Sequence, residues 1–210
     1  MTALTDRFAR AVDYARVAHA AQVRKGTCVP YITHLLGVAT LVIEAGGDED
    51  QAIAGLLHDT LEDCGAAHEP IIRAQFGDRV ADIVVACTDG TAEAKADHED
   101  AEAKRRDWHA RKHAYLAHLA GASADVLLVS ACDKLHNARA IVQDLEDPGV
   151  GVAVFERFKA GQDGTLRYYE SLCQTFSIHG VGPVGLLDAA VQRMHEHAGR
   201  TKRLTLEVAN

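Results

Sequence analysis

Leu56-Leu57-His58-Asp59-Thr60-Leu61-Glu62-Asp63 joins the end of an apolar stripe to four ionisable side chains within six positions. Upstream, Ala52, Ile53, Leu56 and Leu57 fall on one face of a helix that can start at Asp48 or Glu49. That face is expected to be buried and to carry His58 and Asp59 inward. On a helix, residues four apart lie together, so His58 stacks with Glu62 and Asp59 with Asp63. The two columns stand about 100° apart. A cation set between His58 and Asp59 can take both as ligands, while Glu62 and Asp63 stand one turn away. That division suits hydrolysis: the cation lowers the pKa of a water, and a second carboxylate orients or deprotonates it. Read alone, the segment equally fits a solvated acidic helix end with a chance histidine.

Two distant residues bear on that choice. His34 opens an apolar helix carrying Leu35, Leu36, Val38, Ala39 and Val42, where a lone histidine is ordinarily a cap or a hydrogen-bonded core residue. Asp133 follows Val126-Leu127-Leu128-Val129-Ser130-Ala131-Cys132. An aspartate on so hydrophobic a helix is costly to bury unless it is paired or binds a metal; the plainer alternative is a salt bridge with Lys134. Asn137 lies one turn beyond. Two imidazoles and several carboxylates suit one divalent cation, Mn²⁺ first, with Fe²⁺ or Zn²⁺ as alternatives.

Elsewhere the chain also reads as helix. Leu4, Phe8, Ala11, Val12 and Ala15 mark a first amphipathic helix over about 3–21. A polar turn from Arg24 to Pro30 follows, then a helix from Ile32 that stops at Gly46-Gly47. Two shorter helices, Pro70 to Phe76 and Asp78 to Ala86, divide at Gly77. Residues 88–107, charged and poor in apolar side chains, read as an exposed connection with a frayed helical start. Helices then run from Trp108 to about Ala120 and from Ser123 to a break at Pro148-Gly149. Three more are expected near 150–160, 163–176 and 184–198, with Gly180 to Pro183 as a linker. No useful length shows the alternation of a strand, so the fold class is all-α.

The 210 residues carry a net charge of −8 and are 48% hydrophobic but only 5% aromatic. The charge argues against a nucleic-acid polymer as partner while leaving room for a small phosphorylated ligand in a local basic pocket. No apolar run is long enough to cross a bilayer, and Met1 to Ala21 lacks the pattern of a secretory signal. The five cysteines are scattered without a Cys-x-x-Cys pair, which reads as small buried thiols in a reducing cytoplasm. His109 and His113, four apart, read as an exposed pair; His195 and His197 read as surface residues.

Taken together, Arg24-Lys25 before Pro30-Tyr31-Ile32-Thr33-His34, Leu56-Leu57-His58-Asp59 with Glu62-Asp63, Phe76-Gly77, and Asp133-Lys134-Leu135-His136-Asn137-Ala138-Arg139 resemble the HD-domain phosphohydrolase superfamily. Within it they look like the hydrolase domain of RelA/SpoT-type alarmone enzymes and their small single-domain relatives. The resemblance implies an HD-domain helical bundle over residues 1–175, with 176–210 as a C-terminal helical extension packed on the same domain. It implies His34, His58, Asp59 and Asp133 as ligands of one divalent ion, usually manganese, and Glu62 and Asp63 as the pair that handles water. Arg24, Lys25, Lys112 and Asn137 take its substrate-binding positions. The implied reaction is hydrolysis of guanosine 3′-diphosphate 5′-di- or triphosphate, releasing pyrophosphate, by a monomer or homodimer. Leu35 stands where the family commonly has proline, and Ala140 where multidomain relatives often carry threonine; both bear on packing and nucleotide contacts, not on the metal. A nucleoside mono- or triphosphate phosphohydrolase, or a non-catalytic nucleotide-sensing module, would keep the same ion site.

Overall fold

Helix formation follows the apolar periodicity and is closed by local chemistry at the helix ends. The computed structural model describes residues 3–89 and 100–206. Its α-helices are α1 (Asp6–Ala18), α2 (Ile32–Glu44), α3 (Glu49–Leu57), α4 (Thr60–Cys64), α5 (His68–Phe76), α6 (Asp78–Cys87), α7 (Ala101–Leu119), α8 (Ala124–Glu146), α9 (Gly161–Ile178) and α10 (Val184–His197). The expected all-α class holds among the described residues, where the extended pairing is an isolated bridge between Val23 and Pro30. None of these helices is long and apolar enough to cross a membrane.

The chain forms two compact units. One holds α1 to α6 and α8 as far as Asp133; the other holds α7, α8 from Lys134, α9 and α10. In the first, α3 lies against α2, α1 and α6. Its start is fixed by a capping box: the Asp48 side chain accepts from the Gln51 N–H, and the Gln51 side chain accepts from the Asp48 N–H. Gly46, at φ +85°, ends α2 in a conformation that a side chain would strain. Gly55 allows the close crossing of α3 on α2, since a Cβ there would stand 3.4 Å from Ala39 Cα and 3.4 Å from Val42 Cγ2. Leu35, Val38, Val42, Ile53, Leu56 and Leu57 are fully buried, each worth about 1.5–3 kcal/mol relative to exposure.

In the second unit α9 packs on α10 and α7. The segment after α10 is tied down by Leu206 N–H to Ser171 Oγ at 2.9 Å and by Arg203 to Glu170 at 2.6 Å. Three expectations change. The helix expected from Trp108 begins at Ala101, because Asp100 caps it by accepting from Glu102 and Ala103. Glu102–Arg106 and Asp107–Arg111 pairs at i,i+4 then stand in for an apolar face. The rest of the expected connection, 90–99, falls outside the described residues. The helix expected near 150–160 is a 3₁₀ helix over residues 151–157. His195 is 3% exposed, not a surface residue, since it continues the Leu187–Val191 stripe of α10; His197 is exposed as expected.

Candidate metal centre

The expected unbroken helix through His58 and Asp59 opens at those two residues. α3 ends at Leu57, α4 starts at Thr60, and Asp59 takes φ −92°, ψ −2°. The reason is geometric. Consecutive residues on a helix point about 100° apart, yet His58 Nε2 and Asp59 Oδ2 meet at 2.9 Å. Opening the turn lets neighbours converge on one point. The Asp59–Asp63 relation survives, since Asp63 N–H bonds Asp59 C=O at 2.9 Å.

The other two expected ligands come to the same place. His34 Nε2 lies 3.4 Å from Asp59 Oδ2 and 3.2 Å from Asp133 Oδ1, and His58 Nε2 lies 3.5 Å from Asp133 Oδ1. His34 is fully buried, and His58 and Asp133 nearly so. Lys134 Nζ sits 5.2 Å over the Tyr115 ring.

His58 Nδ1 lies 2.9 Å from the Gly55 carbonyl. A carbonyl only accepts, so Nδ1 donates to it and Nε2 faces the carboxylates. Something positive belongs there. Burial works against charging His58, but Asp59 and Asp133 prevail and hold its pKa well above the ordinary value. Burial likewise disfavours ionised Asp59, yet the His58 charge and hydrogen bonds from both imidazoles hold its carboxyl well below the usual range. A divalent cation fits where that proton sits. Donors about 2.1 Å from an ion and at right angles are about 3 Å apart, and the four contacts span 2.9–3.5 Å. His34, His58 and Asp59 form a group able to hold a metal ion.

Of the pair expected to handle water, Glu62 is half-buried and Asp63 exposed. Asp63 accepts from Gln22 Nε2 at 2.8 Å. Among the basic candidates, Arg24 lies 5.8 Å over the Tyr31 ring, in a turn closed by Arg24 N–H to Val29 C=O and Tyr31 N–H to Gln22 C=O. Lys25 is exposed on that turn. Lys112 and Asn137 belong to the second unit. Lys112 is half-buried with Nζ 5.1 Å above the buried Tyr168 ring, and Asn137 is half-buried one turn along α8 from Asp133.

Sequence reasoning missed three side chains here. Tyr31 donates its hydroxyl to Asp59 Oδ2 at 2.6 Å. Burial first, then the Asp59 charge, push the phenol pKa strongly upward, so Tyr31 stays a donor. His19, 4% exposed, stacks on Tyr31, and Gln22 links His19 to Asp63. Tyr31, three residues before His34, lies where a helix entrance repeats its direction; Gln22 and His19 give no comparable signal. Cys87, Cys132 and Cys173 are buried as expected, but Cys28 is exposed and Cys64 partly so. Burial lifts the Cys64 thiol to about 11 and Cys132 to about 12, which makes both poor thiolates.

Residues 11–165 match the HD domain family model. A guanosine-3′,5′-bis(diphosphate) 3′-pyrophosphohydrolase of Aquifex aeolicus (strain VF5) is 47% identical over 79 residues, 38% of this chain and 11% of that one. The guanosine-3′,5′-bis(diphosphate) 3′-pyrophosphohydrolase MESH1 of Xenopus tropicalis is 36% identical over 132 residues, 61% of this chain and 66% of its own. The chain thus spans less than two thirds of these curated relatives. Among solved structures, a metazoan orthologue of SpoT, described as hydrolysing ppGpp, superposes with TM-score 0.69 at 23% identity, covering 95% of this chain and 99% of that one. A protein of Listeria monocytogenes EGD-e gives 0.59 at 25% identity, covering 80% and 94%. With its residues matched over most of its length and two imidazoles and two carboxylates gathered at the opened turn, this chain belongs to the HD domain family.

Proposed function

We propose that this protein is a metal-dependent phosphohydrolase that hydrolyses guanosine 3′-diphosphate 5′-di- or triphosphate and releases pyrophosphate. The observation that carries it is the convergence of His34, His58, Asp59 and Asp133 within 3.5 Å contacts. These residues would hold one divalent cation, Mn²⁺ by preference and Fe²⁺ or Zn²⁺ as alternatives. When bound, the cation supplies Lewis acidity at the phosphoryl oxygen and lowers the pKa of a nearby water. Glu62 and Asp63 orient that water and take its proton. Attack at the phosphorus of the 3′ ester breaks the P–O3′ bond, and the 3′ oxygen leaves with a proton. Arg24, Lys25 and Lys112 neutralise phosphate charge, and Asn137 contacts the sugar. The partner is a small nucleotide, not a nucleic-acid polymer or a membrane, and the setting is the cytoplasm, as monomer or homodimer. The relatives named for this reaction support the substrate choice.

The test is purified protein with Mn²⁺ incubated with guanosine tetraphosphate, nucleoside triphosphates and monophosphates, with product identification. Pyrophosphate from the tetraphosphate alone supports the proposal. Turnover of other nucleotides only, or tight binding without turnover, sinks it. Asp59→Ala is expected to lose metal binding and activity together; retained turnover contradicts the site.

A further inference from the structure

Asp63 dictates which way its neighbour faces. Gln22 Nε2 donates to Asp63 Oδ2 at 2.8 Å. A carboxylate only accepts, so the amide cannot be reversed, and Oε1 faces His19 Nδ1 at 2.6 Å. That oxygen also only accepts, so His19 carries its proton on Nδ1. The His19 ring is buried and lies against Tyr31, centroids 5.3 Å apart and planes 22° from parallel. Tyr31 in turn donates to Asp59 at 2.6 Å. Cys64 Sγ, 3.8 Å from both His19 ring nitrogens, donates to the Ala18 carbonyl. One buried imidazole thus ties together the carboxylates of residues 59 and 63.

We propose that Gln22 is a positioning residue for Asp63, with His19 holding the far end of the Gln22 amide. The inference rests on the role given above to Asp63 in handling the attacking water. Asp63 is exposed on a five-residue helix, where a carboxylate samples several rotamers. A directed donor selects one of them. Held at both ends, the amide keeps its nitrogen on Asp63 and its oxygen on His19.

Two measurements test this. In the first, ¹⁵N NMR of the ion-free full chain reads the His19 tautomer. The wild type is expected to show Nδ1–H, and both Asp63→Ala and Gln22→Met are expected to lose that preference. The same tautomer in Asp63→Ala overturns the proposal, and no substrate is needed to see it. In the second, Gln22→Met, which keeps length but not polarity, is expected to lower kcat about 10- to 100-fold with KM and Mn²⁺ affinity unchanged, and to lower Tm because the buried His19 N–H loses its acceptor. Gln22→Glu, which sets carboxylate against carboxylate, is expected to lower kcat further, and Gln22→Asn to recover less than the wild-type rate. A fall in metal affinity alongside kcat, or no fall in kcat, overturns it. If the wild type turns over none of the guanosine substrate, the function proposal fails while the tautomer measurement still decides the role of Gln22.

Discussion

Tyr31→Phe isolates one hydrogen bond at the metal centre. It removes the hydroxyl that donates to Asp59 Oδ2 at 2.6 Å and keeps the ring that stacks on His19 and meets His34 edge-on. A short O–H to carboxylate bond is charge-assisted and contributes about 1.5–3 kcal/mol. The Asp59 side chain keeps 16% of its surface exposed, which places this bond in the lower half, about 1.5–2 kcal/mol. At about 1.36 kcal/mol per decade, that corresponds to about 10- to 30-fold. The bond exists with and without the ion, so only the part that aims Asp59 appears as lost affinity, and the rest appears as lost stability of the ion-free chain. Calorimetric titration of ion-free protein with MnCl₂ is expected to show a weakening of up to about 30-fold, within the range for outer partners of metal ligands. Thermal unfolding of the ion-free protein supplies the remainder. Affinity and Tm both equal to wild type would refute the argument that Tyr31 orients Asp59.

Three further perturbations test how the fold supports the site. Gly55→Val adds branched carbons where even a Cβ stands 3.4 Å from Ala39 and Val42; it should cost about 1–3 kcal/mol by overpacking and weaken Mn²⁺ binding, because the Gly55 carbonyl holds the His58 tautomer. Unchanged binding would show that α3 adapts without moving His58. Asp48→Ala removes a capping box and the 2.6 Å pair with Arg79, with an expected loss of about 0.5–2 kcal/mol. Burial opposes the Asp48 charge, but Gln51 and Arg79 hold its carboxyl below the ordinary value. The stabilisation is therefore present above about pH 3.9 and lost as pH falls through the lower folded value; Asp48→Ala should flatten that part of a denaturation-versus-pH curve. His195→Leu replaces a buried imidazole whose ring nitrogens have no hydrogen-bond partner among the described residues and should raise stability by about 1–3 kcal/mol. Burial, then Arg203 and Arg200 against Glu170, lower the His195 pKa. Its neutral form is favoured on folding, so stability is present above about pH 6.5 and lost as pH falls through the folded value. A lower Tm with an unchanged acid slope would contradict this reading.

The candidate metal donors were legible because each breaks a local rule. A histidine entering a run of leucine and valine, and an aspartate ending one, are expensive unless something positive meets them, and that expense is visible without coordinates. His195 broke the same rule less openly. It extends the Leu187, Val191 stripe by four residues, so its burial was readable from periodicity that its polar character hid. The start of α7 failed for the converse reason: Glu102, Arg106, Asp107 and Arg111 support a helix through charge pairs, and a search for apolar spacing passes over them.

What stayed illegible depends on chain geometry that no spacing rule contains. A regular helix would send His58 and Asp59 to different sides, so adjacency in sequence argued against their sharing an ion as directly as chemistry argued for it. The turn at Asp59 resolves that conflict, and Asp59 is held there by Tyr31, His34 and His58. The supporting residues Tyr31, His19 and Gln22 follow from the same requirement. Carboxylates brought together beside two imidazoles repel unless each is aimed, and neutral donors aim them without adding charge that would compete with a cation. Basic residues would have been easier to find in the sequence, but placed here they would weaken the attraction for the ion they were meant to support.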